Sequence, residues 1–133
     1  MAIYLFTDAI LNSRPIKVFN KGALSRDFTY IDDIVGGVVA TLEKDAPDSA
    51  AASVYNIGNG QPVQLMDFIE AIEASLDKKA IQDMLPMQPG DVEKTWADTT
   101  GLENDFGYKP SIGIEEGVSK FIDWYREYYG RTV

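Results

Sequence analysis

SRDFTYIDD (25–33) passes from a charged pair through an aromatic, extended stretch into two acids, and the residues on either side of it settle the class of the fold. Residues 28–31 read as a short strand. Asp32 or Asp33 can cap the helix that follows, in which Ile34, Val35, Val38, Val39 and Leu42 form the buried stripe and the acids suit the positive end of the helix dipole. Upstream, PIKVFN (15–20) reads as a strand closed by the turn pair Lys21-Gly22. Arg26 offers a planar fork able to grip a pyrophosphate through paired charge-assisted bonds. The competing reading is an ion pair with Asp27 or Asp32, since such surface pairs are common.

Farther out, residues 2–12 carry Ile3, Tyr4, Phe6, Thr7, Ile10 and Leu11 at helical spacing, and Asn12, Ser13 and Pro15 stop the helix. DAPDSAAAS (45–53) is small and polar and reads as a mobile surface loop. VYNI (54–57) reads as a strand ending in the Gly58-Asn59-Gly60 turn. Over 63–76, Leu65, Phe68, Ile69, Ile72 and Leu76 predict an amphipathic helix. A strand is expected within 80–86, then an extended stretch at 95–98 and a short helix with Gly107 as its left-handed C-cap. The last helix is expected over 114–129, burying Ile114, Val118, Phe121, Ile122 and Tyr125. Few, short strands mixed with helices make this an α/β chain, or mixed α+β when isolated, with an incomplete sheet.

The 133 residues suffice for one modest domain, because a chain of this size buries about two thirds of its extended surface. A composition 45% hydrophobic and 25% charged is that of an ordinary globular protein. A net charge of -9 argues against a nucleic-acid surface, which needs clustered Lys and Arg. Cysteine and histidine are absent, which excludes disulfides, thiol catalysis, histidine general bases and the common zinc sites. No apolar run approaches the ~18 residues of a membrane span, and the expected location is cytoplasmic.

Candidate binding residues cluster in two segments. Phe19, with Lys17 two positions earlier, can pack beside a nucleobase while backbone groups read its edge, or can simply be a core aromatic. MLPMQPGDV (84–92) has the composition of a loop held in one shape. Gln88 there offers a donor and an acceptor, and Asp91 can accept from a ribose hydroxyl; alternatively Gly90-Asp91 is only a turn and a cap. No glycine-rich dinucleotide loop occurs, nor any Tyr-x-x-x-Lys pair among the seven tyrosines.

In the order PIKVFN, SRDFTYIDDIVGG, VYNIGNG, LPMQPGDVEKTWADT and FGYKPSIGIEEGVSKFIDWY, the chain resembles the C-terminal part of extended short-chain dehydrogenase/reductases of the NAD-dependent epimerase/dehydratase family, above all UDP-glucuronate 4-epimerases. The resemblance implies a single nucleotide-sugar-binding domain over 1–133, inactive alone, whose family relatives hold NAD and the catalytic tyrosine and lysine in the half that precedes it. It implies Arg26 on the pyrophosphate, Phe19 beside the uracil with backbone groups around Lys17 and Val18, and Asp91 near the ribose. Gln88 stands where several family members have a second phosphate-binding arginine. It also implies that residues 54–57 would join a sheet of the cofactor domain. Without that sheet, a homo-oligomer or an interaction module built on the uncovered helix faces is the expected alternative.

Overall fold

The computed structural model describes residues 2–44 and 53–130. Helix α1 (Ala2–Leu11) leads to strand β1 (Ile16–Val18), a 3-10 turn (Phe19–Gly22), β2 (Ser25–Asp27) and α2 (Ile31–Glu43). Then come β3 (Pro62–Gln64), α3 (Leu65–Leu76), β4 (Gln82–Met84), α4 (Thr100–Phe106) and α5 (Ile114–Tyr129). The strands form two separate pairs: β1 with β4, parallel, Lys17 opposite Asp83, and β2 with β3, antiparallel, Arg26 opposite Val63. Mixed α/β with few short strands is therefore the observed class.

One core lies where α3 packs on α5 and α1 over the β1–β4 pair. Ile10, Ile16, Val18, Phe68, Ile69, Ile72, Leu76, Val118 and Ile122 meet there, all nearly inaccessible to solvent. Burial of side chains of this kind contributes about 1.5–3 kcal/mol each. Gly22 closes the turn after β1 in the left-handed region (φ +84°), and a Cβ there would meet the Met66 side chain at 2.6–2.8 Å, so chain direction and close packing both call for glycine.

Several expectations are corrected. The second strand is Ser25–Asp27 rather than 28–31. Phe28 instead turns inward and stacks on Phe68 of α3 at 4.2 Å between ring centroids, so packing against α3 ends the strand. The first strand stops at Val18, and Phe19 opens the 3-10 turn, so Lys17 and Phe19 do not share a strand face. Asp32 and Asp33 lie inside the first turn of α2, whose N-cap is Tyr30 without a side-chain bond. The apolar stripe of α2 is not buried: Val35, Val38, Val39 and Leu42 are 52%, 45%, 41% and 79% exposed. In α5, Ile114 and Phe121 are only partly buried, against the core rather than within it. Residues 54–57 form no strand. The loop expected over 45–53 lies outside the described residues except for Ser53.

Candidate functional site

β2 places two opposite charges side by side, and strand alternation sends them to opposite faces. On one face, Arg26 meets the segment that runs from β4 back along β2. Leu85 N–H donates to the Val18 carbonyl (2.9 Å), Lys21 N–H to the Leu85 carbonyl (3.1 Å) and Ser25 N–H to the Glu93 carbonyl (2.8 Å), so this segment is tied down at both ends. Arg26 Nη2 then donates to Asp91 Oδ1 at 2.6 Å, and Nη1 donates to the carbonyls of Ser25 (2.9 Å) and Glu93 (3.3 Å). Both charged side chains keep roughly a third of their surface open, 29% and 33%. The partner of Arg26 is thus neither Asp27 nor Asp32. Asp91 N–H also donates to the Gln88 carbonyl at 3.1 Å, so Gly90-Asp91 is a turn as well as an ion-pair anchor.

Among the other sequence-picked residues, Gln88 is exposed on that same turn, Phe19 is partly buried, and the Val18 side chain is fully in the core. Ile16 and Val18 use their main-chain groups toward the β4 side, with Ile81 and Leu85. Alternation turns the N–H and C=O of Lys17 to the opposite edge, which pairs with no other strand among the described residues.

On the other face of β2, Asp27 is a scaffold carboxylate that sequence reasoning treated only as a possible partner of Arg26. It accepts from the N–H groups of Asn59 (3.0 Å), Gly60 (3.0 Å) and Ala97 (2.9 Å), and Thr29 Oγ1 also receives Asn59 N–H at 3.1 Å. The signal available was an Asp two residues before Thr29 and a later Gly-Asn-Gly turn, but nothing in either segment names the other. Beside this clamp, an open pocket of about 300 Å³ is lined by Asp27, Thr29, Ile57, Gly58, Thr95, Trp96 and Ala97. Trp96 is 57% exposed with the Lys94 ammonium 4.8 Å above its ring. Arg26, Gln88 and Asp91 do not line this pocket.

Asp33 is the second scaffold carboxylate missed. It is buried in the first turn of α2 and accepts from Ser111 N–H (3.1 Å) and Ile112 N–H (3.0 Å). Burial, aided by the nearby Asp33 charge, pushes the Tyr108 phenol above its usual pKa. Four of the five helix starts carry acids: α2 has Asp32 and Asp33 in its first turn, α3 Asp67, α4 Glu103 and α5 Glu115 and Glu116, whereas α1 has none. These charges oppose a pyrophosphate where the helix dipole would favour one.

The parallel β1–β4 pair, the separate antiparallel β2–β3 pair and the helices around them form an arrangement shared with part of the Rossmann-fold epimerases of the extended short-chain dehydrogenase type, as solved structures show. UDP-glucuronic acid 4-epimerase from Bacillus cereus, solved with UDP-glucuronic acid and NAD, superposes with a TM-score of 0.86 at 31% identity, over 97% of this chain and 40% of that one. Residues 3–121 match the family described as GDP-mannose 4,6 dehydratase, and the chain belongs to that family. Similar curated proteins are a probable UDP-glucuronate 4-epimerase of Rhizobium meliloti, 44% identical over 99% of this chain, and Protein CapI of Staphylococcus aureus, 45% identical over 97%. The chain spans 43% of the length of each of these two relatives. No helix among the described residues is long and apolar enough to cross a membrane.

Proposed function

We propose that this chain is one nucleotide-sugar-binding domain, the substrate-holding portion of an NAD-dependent UDP-sugar epimerase that acts on UDP-glucuronate. The observation that carries the reading is the Arg26–Asp91 unit: two residues 65 positions apart are drawn into one partly exposed, charge-assisted pair. Arg26 would grip the pyrophosphate, Phe19 would lie beside the uracil with the open main-chain edge at Lys17 reading it, and Asp91 and Gln88 would flank the ribose and phosphates. Val18 serves this edge through the strand it anchors, since its side chain is buried and its carbonyl already receives Leu85 N–H. The acids at the starts of α2–α5 do not fit a dinucleotide, and the chain spans 43% of the length of those two relatives, which together support assigning NAD and the reacting groups to the rest of a longer protein. The part of these residues in the reaction is then to bind and orient the nucleotide, and the chain alone is inactive.

Calorimetric titration with UDP and UDP-glucuronate tests the reading. Saturable, weak binding is expected, because a half-built wall preorganises little, and Arg26→Ala should abolish it. No binding of either ligand at millimolar concentration overturns it.

The exposed valines and leucine of α2 favour a second reading in which this face associates with another chain, in the first instance a second copy. In that reading the protein is an interaction module and shows no nucleotide binding.

A further inference from the structure

Arg26 is restrained from three directions by groups that are themselves fixed. The Ser25 and Glu93 carbonyls belong to joined main chain, Ser25 N–H donating to Glu93 O at 2.8 Å. Asp91 is held just as firmly: Oδ1 also accepts Val92 N–H at 2.9 Å, while Asp91 N–H is bonded to Gln88 O at 3.1 Å. A guanidinium carries five N–H donors. Two on Nη1 and one on Nη2 are used here, which leaves Nε–H and the second Nη2–H. Asp91 Oδ2 takes no bond among the described residues. The pair therefore leaves two donors and one acceptor oxygen without a bond among the described residues.

We propose that Asp91 is a positioning residue for Arg26: its carboxylate fixes the guanidinium in the orientation in which the remaining donors meet a phosphate. The proposal rests on the reading that Arg26 binds phosphate. Simple electrostatics predicts the opposite role, since a carboxylate beside an arginine weakens its pull on an anion, and deleting it would strengthen phosphate binding. Two considerations decide between them. The site is partly open to solvent, where the high dielectric of water weakens the repulsion between a carboxylate and a phosphate. An unrestrained arginine, in contrast, must lose most of its rotamer freedom on each binding event, a cost already met here in the free protein. A carboxylate swinging aside as a gate is also disfavoured, because its bond to Val92 N–H and the turn at Gln88 keep it in place.

Inorganic pyrophosphate is the decisive probe, because it carries no ribose and cannot report a lost hydroxyl contact at Asp91. Wild-type protein, Arg26→Ala, Asp91→Ala and Asp91→Asn would be titrated with pyrophosphate and with UDP, alongside nuclear magnetic resonance of guanidinium rotation at Arg26. Asp91→Ala should weaken pyrophosphate about three- to tenfold and speed that rotation, with Asp91→Asn intermediate because it keeps an acceptor. Pyrophosphate bound equally or more tightly by Asp91→Ala while Arg26→Ala still abolishes binding overturns the positioning role alone, as does rotation unchanged between wild type and Asp91→Ala. Wild-type protein that binds neither probe overturns the proposed function together with this inference.

Discussion

Tyr108, in the loop after α4, donates its hydroxyl to the main-chain carbonyl of Asp33 at 2.7 Å, so this first-turn residue of α2 is bonded to that loop through its main chain as well as its carboxylate. The ring passes over the helix at Gly36 and Gly37, where a Cβ on Gly36 would meet the hydroxyl at 2.7 Å. The lobe made by α2 and α4 has little apolar core of its own, with Leu102 its one fully enclosed aliphatic side chain among the described residues. Polar contacts thus do much of what apolar burial does under α3.

Asp33→Ala leaves the N–H groups of Ser111 and Ile112 without an acceptor in a site only 4% exposed, and should destabilise the chain by about 3 kcal/mol. Urea unfolding followed by circular dichroism reads this as a lower midpoint. A change below about 0.5 kcal/mol would show that the loop reorganises without loss.

Gly36→Ala should destabilise as well, although alanine is intrinsically the better helix former by about 1 kcal/mol. The added methyl drives Tyr108 off the Asp33 carbonyl. The double variant Gly36→Ala/Tyr108→Phe should be less destabilised than the sum of the single changes, a coupling that a double-mutant cycle measures directly.

Asp27→Ala should leave α3 and α5 folded while the 58–60 turn and residue 97 come apart. Hydrogen exchange would then accelerate at the amides of Asn59, Gly60 and Ala97, whose protons Asp27 now receives, and not at core amides of α3. Uniform acceleration everywhere would instead mean that this clamp is required for the whole fold.

Glu73 contributes to the acid limb of stability. Burial alone would raise its pKa, but the hydrogen bond from Lys79 and that from Ala80 N–H outweigh it and hold the carboxyl below its ordinary range. A depressed folded-state pKa means that the contribution is present above the unfolded value of about 4.3 and is lost as pH falls through the folded one. Glu73→Gln should therefore be less stable at neutral pH, with a flatter decline below about pH 4, in urea melts taken across that range.

The α2 face gives a test of association. Light scattering at micromolar concentration should find self-association that Val38→Lys/Leu42→Lys suppresses, without loss of thermal stability, since both side chains are already exposed. A clean monomer in the wild type counts against the face as a contact between copies.

Helices α1, α3 and α5 were legible because each buries a regular stripe, and the C-cap at Gly107 because a left-handed residue leaves few choices. Strand pairing was not legible: three-residue strands carry no periodicity, and β1 with β4 is joined across more than sixty positions of chain. The stripe of α2 was visible in the sequence, yet periodicity says which side is apolar and not what covers it. Likewise Arg26 and Asp91 each stood out by residue type, while their pairing was hidden because no local rule connects them. Asp27 and Asp33 were misread as a surface ion-pair partner and a cap, since a carboxylate that collects distant main-chain N–H groups looks in sequence like any acid near a helix start.

β2 is only three residues long, with Arg26 set opposite Val63 by its pairing with β3. Because neighbours on a strand face opposite ways, a slip of one residue would exchange the two charges: the carboxylate of Asp27 would swing to the Asp91 side and the guanidinium of Arg26 into a ring of amide protons. Each would then confront groups of its own sign. The alignment of this tiny ladder is thus enforced by repulsion in the wrong frame as much as by bonding in the right one, a form of proofreading written into two adjacent letters of the sequence.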